Sequence, residues 1–236
     1  MNILFYGDSN TWGFQGDQPQ VRLAYEKRFT GIIANRFPQH HIIEEGLPGR
    51  TICINDPLDK GRNGMETLPM LLQTHEPLDL VVIMLGTNDT KIMFGHTPMT
   101  MRLAMERMIR LVQNTDAWSD TGVRPQILLV APPRMGDIER GTFYGMFDAH
   151  SAEMIPEVSN QFRQLAEQYH CLFADGAQVA AQHCCDFVHL TAAEHAQLAQ
   201  LMLSHSSLDS KRNGKQPPRY FISAALSCKK IKNIKE

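Results

Sequence analysis

Six consecutive apolar residues, Leu80-Val81-Val82-Ile83-Met84-Leu85, leave few options for the fold of this chain. A strand with one face in water alternates apolar and polar residues, whereas one without alternation has to be covered on both sides. Residues 80–85 are therefore expected at the centre of a sheet that carries helices on each face. Shorter apolar runs recur at 3–6, 42–43, 127–131 and 172–174, separated by longer amphipathic stretches. That alternation predicts an α/β protein with a parallel sheet wrapped by helices. At 236 residues the chain is long enough to build one such domain around a single core.

The amphipathic stretches have legible ends. Met101, Ala104, Met105, Met108, Leu111 and Val112 recur at three- and four-residue steps, with Arg102, Glu106, Arg107 and Arg110 on the other side. This predicts a helix whose methionine stripe is core. Thr97-Pro98 opens it, because Thr can cap free amides and Pro at the first helical position gives up no needed hydrogen bond. A second helix is expected from about 148 to 169, bent at Pro156, and a third from 192 to 203. The third starts with Thr191-Ala192-Ala193-Glu194, a capping box in which each end residue satisfies the other's amide. That cap restrains the chain just before it, including His189.

Lys and Arg total 23 against 25 Asp and Glu, a formal charge of −2. The balance argues against binding nucleic acid through its phosphates and favours a small neutral or weakly charged partner. From Ser206 onward there are eight Lys or Arg against two acids, with Pro217-Pro218 and no helical period. Residues 1–205 are read as one domain and 206–236 as a basic, poorly ordered tail, with a short packed extension at 220–226 as the alternative. The first residues, MNILFYGDSN, carry no basic leader or long apolar stretch. Neither a secretory signal nor a membrane span is expected, and the chain is placed in the cytoplasm. The five cysteines, Cys53, Cys171, Cys184, Cys185 and Cys228, are odd in number and lack CxxC spacing, which suits reduced thiols. His183-Cys184-Cys185 has no second ligand pair at zinc-like spacing, so no metal is expected, nor any cofactor.

Four short blocks carry the chemistry. Tyr6-Gly7-Asp8-Ser9-Asn10 follows the first strand, placing Ser9 at the carboxyl edge where open α/β sheets bind ligands. The plainer alternative is a helix cap. Asp186-Phe187-Val188-His189 sets a carboxylate three residues before an imidazole, so that Asp186 can orient His189 as a base. A surface Asp-His pair is its alternative. Gly86-Thr87-Asn88-Asp89 follows the most apolar strand, and the Asn88 amide can donate to an oxyanion, or simply form a turn. Gly46-Leu47-Pro48-Gly49-Arg50-Thr51 follows the second strand, where Gly49 lets the backbone offer an amide or makes a plain Pro-Gly turn. Trp12 and Phe94, near two of these blocks, are candidates for the walls of a small acyl pocket, with ordinary core packing as the alternative.

Taken in order, GDSNTWG, GLPGRT, LGTND and DFVH resemble the four sequence blocks of the SGNH (GDSL-like) hydrolase superfamily, and they span Gly7 to His189. The resemblance implies Ser9 as nucleophile, His189 as base and Asp186 as its orienting partner. It also implies an oxyanion hole from the Ser9 amide, the Gly49 amide and the Asn88 side chain. The implied fold is a three-layer α/β/α sandwich, with a flavodoxin-like parallel sheet of about five strands. The strings GDSNTWGF, EEGLPGRT and MLGTNDTK are most similar to the arylesterase and acyltransferase branch. Members of that branch cleave small acyl esters, pass acyl groups to alcohols or peroxide, and often assemble, so a small-molecule ester substrate and a homo-oligomer are expected. The tail resembles nothing in the family. Two rival functions are weighed: a non-catalytic module binding a sugar or acyl ligand on an esterase scaffold, and a nucleotide-binding protein. The second lacks GxGxxG and GxxxxGK[ST].

Overall fold

A computed structural model describes residues 1–18, 21–114, 124–181 and 184–206, of which Met1–Ser206 form one compact unit. Tail residues 207–236, including Cys228, and His183 lie outside the described residues. In chain order the strands are β1 (Asn2–Gly7), β2 (His41–Gly46), β3 (Leu80–Met84), β4 (Gln126–Val130), β5 (Arg134–Met135), β6 (Leu172–Ala174) and β7 (Ala180–Ala181). The α-helices are α1 (Ser9–Trp12), α2 (Phe29–Arg36), α3 (Gly64–His75), α4 (Pro98–Asn114), α5 (Ala149–Gln168) and α6 (Ala192–His205). Five strands form a parallel sheet in the order β2-β1-β3-β4-β6, while β5 and β7 pair separately. This is the expected α/β sandwich, with β3 in the middle and every residue of β3 buried.

The two faces of the sheet are packed differently. Leu4, Tyr6, Val81, Ile83 and Leu129 point toward α3, α4 and α5, where Leu68, Leu72, Met105, Met108, Val158 and Phe162 are fully covered. On the other face Phe5 meets Phe29 of α2 edge-on at 5.8 Å, and α2 packs on α6. Burial of each such side chain stabilises by about 1.5–3 kcal/mol, which is why the methionine stripe of α4 faces inward. Pro156 lies inside α5, a continuous helix opened by a capping box between Asp148 and Ser151. Two helices lack a strong sequence signal. In α3 the poor helix formers Gly64 and Pro69 interrupt a pattern whose only fully buried anchors are Leu68 and Leu72, and α2 is short.

The register decides where the chemistry lies. Gly7 pairs with Gly46 of β2 on one side and with Met84 of β3 on the other, so the three strands end level. The loops after β1, β2 and β3 therefore leave the sheet side by side, with the β1 loop in the middle. The chain winds outward in both directions from this point, a topological switch that opens a crevice at the carboxyl edge. Among the described residues no helix is long and apolar enough to cross a membrane.

Candidate active site

Ser9 begins α1 directly after β1. Asp8 caps the helix, its carboxylate accepting from the Asn10 amide at 2.9 Å. Gly7 is required by closeness: a Cβ there would sit 2.0 Å from Thr11 Oγ1 and 3.0 Å from the Met84 carbonyl oxygen. Ser9 Oγ lies 2.8 Å from His189 Nε2, and His189 Nδ1 lies 2.7 Å from Asp186 Oδ2. The second Asp186 oxygen accepts from the Val188 and His189 amides, each at 2.9 Å. The turn joining Asp186 to His189 passes through Phe187 at φ +57°, a left-handed conformation that an L side chain adopts at a cost. Burial pushes the Asp186 carboxyl up, but the His189 side chain and the two amides outweigh it and bring it down to about 2. Asp186 is thus held as a carboxylate facing an imidazole that faces a hydroxyl.

Asn10 and two aromatic rings fix His189 further. The Asn10 amide reaches across 180 residues of sequence, accepting from the Leu190 amide at 3.0 Å and donating to the Val188 carbonyl at 3.4 Å. It therefore grips the backbone on both sides of His189. Phe14 lies against the ring at 4.2 Å and Phe143 meets it edge-on at 5.8 Å. Below His189 the Thr191–Glu194 capping box is formed as expected.

The loops after β2 and β3 complete the crevice. Gly49 takes φ +80° and lines the cavity over Ser9, as does Asn88. Asn88 Nδ2 donates to the Arg50 carbonyl at 3.1 Å, and both oxygens of Asp89 lie 3.1 Å from the Ile52 amide. Neighbouring side chains of the β3 loop therefore hold the loop that carries Gly49 at two points. Arg50 braces it from below: its Nη1 donates to the Gly7 carbonyl at 2.8 Å and to the Glu45 carbonyl, and the guanidinium lies 4.2 Å over the Tyr6 ring. Asn10 and Arg50 stand inside the sequence blocks, but the segments they brace are brought to them only by the fold. Phe143 had no sequence signal, and Phe14 stands inside GDSNTWGF with no role assigned to it there.

Two buried carboxyls underlie this crevice. Burial pushes Asp8 up to about 6 and Asp89 up to about 7, the latter also because Asp8 lies near. A carboxyl raised from its ordinary 3.8 keeps its proton in the native state at pH values where the unfolded chain has released it. Its contribution to stability is therefore full below about pH 4 and is lost as pH rises toward 7. Asp89→Asn keeps an acceptor for the Ile52 amide and removes the titration. Denaturant unfolding from pH 4.5 to 7.5 is expected to show a steeper loss of stability in the wild type than in Asp89→Asn. Parallel curves would mean that Asp89 titrates as an ordinary carboxyl.

The cavity over Ser9 measures about 180 Å³ and is walled by Phe14, Phe143, Met146, Phe147 and Val188, with the charged side chains Asp59 and Lys91 also lining it. Trp12 and Phe94 do not line it, which corrects their expected place. Helix α1 is a single turn ended by left-handed Gly13. The reversal carries Phe14 onto His189 and leaves Trp12 outside, beneath the Arg22 guanidinium at 5.2 Å. Phe94 closes the 3₁₀ turn Ile92–Phe94 and has Lys91 Nζ 5.7 Å from its ring, while Lys91 itself pairs with Asp56 at 3.1 Å. Among the described residues no group of three His, Cys, Asp or Glu side chains is placed to hold a metal ion.

Residues 5–197 match the model of the GDSL-like lipase/acylhydrolase family. Solved structures similar to this chain include a carbohydrate acetylesterase family member from Sinorhizobium meliloti. It is 36% identical, with 85% of this chain and 94% of that one covered and a TM-score of 0.80. The aryl esterase of M. smegmatis is 34% identical over 87% of this chain and 99% of its own, with a TM-score of 0.80. A putative arylesterase from Agrobacterium tumefaciens is 31% identical over 86% and 96%, with a TM-score of 0.78. No curated protein matches the chain.

Proposed function

Because this chain belongs to the GDSL-like lipase/acylhydrolase family and is a carboxylic ester hydrolase, we propose that it cleaves small acyl esters through an acyl-enzyme on Ser9. The observation that carries this reading is the buried relay from Asp186 through His189 to Ser9, at 2.7 and 2.8 Å. His189 Nε2 removes the Ser9 proton as Oγ attacks the ester carbonyl. Negative charge develops on the carbonyl oxygen between the Ser9 and Gly49 amides and Asn88 Nδ2, in a crevice where Ser9, Asn88 and His189 are all buried. The proton on His189 passes to the departing alcohol, and a water deprotonated by the same imidazole releases the acid. An alcohol or peroxide deprotonated in place of that water would receive the acyl group instead.

A cavity of about 180 Å³ with aromatic walls favours acetyl and other short acyl groups. The acetylesterase family member among the similar structures agrees with this. All the residues in this scheme lie within 1–205. Asn88→Ala removes one oxyanion donor and is expected to lower kcat on p-nitrophenyl acetate by about 10²–10³-fold. Full activity in that variant would reduce Asn88 to a brace for the Arg50 carbonyl. An acyl series from acetate to octanoate tests the pocket, and fastest turnover of octanoate would refute a short-acyl preference.

A further inference from the structure

We propose that Gly16 is a positioning residue of the relay: the absence of a side chain there lets the Asp186 carboxylate lie against His189, and the Cys184 thiol holds the same carboxylate from beside it. The inference rests on the serine-esterase reading above. Gly16 is buried, and a Cβ on it would sit 2.0 Å from Asp186 Oδ2, 2.4 Å from its Cγ and 2.5 Å from Cys184 Sγ. The crowded oxygen is the one 2.7 Å from His189 Nδ1. Cys184 is buried too. Its sulfur accepts from the Asp186 and Gly16 amides, and its thiol donates to the Asp186 carboxylate. Burial above all, with the Asp186 charge acting in the same direction, pushes this thiol up to about 11, so it keeps its proton.

A side chain at position 16 would have to displace either its own backbone or the carboxylate. The backbone is pinned. Phe14 bridges Arg22, the Leu23 amide donates to the Gly13 carbonyl at 2.7 Å, and the Gln15 side chain donates to the Val21 carbonyl at 3.1 Å. Asp186 is anchored through its other oxygen, which accepts from the Val188 and His189 amides. The carboxylate therefore yields by turning about that anchored oxygen, which carries Oδ2 away from Nδ1. An imidazolium that loses its carboxylate is less stable, so the base stays neutral to lower pH but is worse oriented. Loss of the thiol acts the other way. A carboxylate with one donor fewer directs more of its charge at Nδ1 and holds the imidazolium more tightly. Asp8 and His195, the other titratable groups near His189 among the described residues, are untouched by either change.

The test measures kcat, KM and the pH at which kcat/KM is half-maximal on p-nitrophenyl acetate, for the full-length wild type, Gly16→Ala and Cys184→Ala. An organophosphate titrant counts the reactive serines in each preparation. Gly16→Ala is expected to lower kcat per reactive serine by about 10²-fold, as a misplacement of about 1 Å does, with KM near wild type. Its half-maximal pH should fall by about one unit. Cys184→Ala, which deletes only a sulfur atom, is expected to move that pH upward. A Gly16→Ala protein that loses reactive serines, yet keeps the wild-type kcat and pH midpoint in those that remain, would reduce Gly16 to a folding role and overturn the proposal. A midpoint that Cys184→Ala leaves in place would overturn it as well, and this variant decides the matter if Gly16→Ala does not fold. A wild type that hydrolyses no short ester would remove the esterase reading itself, whereas unmoved variants of an active wild type remove this inference alone.

Discussion

Ser9→Ala is expected to lower kcat on p-nitrophenyl acetate by about 10⁶-fold, because the residues of a nucleophile-base relay act as a unit and lose nearly everything when the nucleophile goes. The fold should survive. The Ser9 hydroxyl touches His189 Nε2 at 2.8 Å, while the helix that begins at Ser9 is capped by Asp8. Hydrolysis measured beside circular dichroism and a melting curve separates the two effects. Turnover retained in the folded variant would move the nucleophile elsewhere. Absence of turnover in the wild type across short esters would favour a ligand-binding module on this scaffold.

The second large effect is expected at Asp186. The Asp186→Asn variant should lose about 10⁴-fold in kcat, although an amide has nearly the shape of a carboxylate. The carboxylate accepts from His189 Nδ1 at 2.7 Å, which fixes the tautomer that leaves Nε2 free to take the Ser9 proton. An asparagine that presents its NH₂ group to Nδ1 selects the opposite tautomer, with the proton on Nε2. The Val188 and His189 amides, at 2.9 Å from the other Asp186 oxygen, hold the residue in place in either case. A kcat close to wild type would mean that Asp186 is a structural cap for the turn at 187–189. Titrating the variant's rate against pH, with KM followed in parallel, distinguishes a misplaced proton from a lost substrate contact.

Local signals in the sequence carried over well where neighbouring residues decide the outcome. The unbroken apolar run at 80–85 became the central strand, since only a strand covered on both faces tolerates it. The Thr191–Glu194 box and Thr97-Pro98 opened their helices because capping is settled within one turn. Helix α3 was not legible, as Gly64 and Pro69 speak against a helix, while the Asn63 cap and packing on Tyr6 and α4 favour it. The aromatic walls were misplaced for a related reason. Proximity along the chain pointed to Trp12 and Phe94, whereas a left-handed turn at Gly13 and a distant loop brought Phe14 and Phe143 to His189.

By itself, then, the sequence determined the layered α/β architecture, the starts of α4, α5 and α6 and the four blocks that carry Ser9, Gly49, Asn88 and the Asp186–His189 pair. Periodicity, capping and short-range spacing are properties of adjacent residues and can be read before folding. Tertiary structure alone decided how those blocks meet. The level ends of β1, β2 and β3 set three loops side by side, and Asn10 ties the backbone around His189 to the helix bearing Ser9. It also decided which aromatic rings wall the cavity. Contacts between residues up to 180 positions apart depend on the path of the whole chain, and no local pattern contains that path.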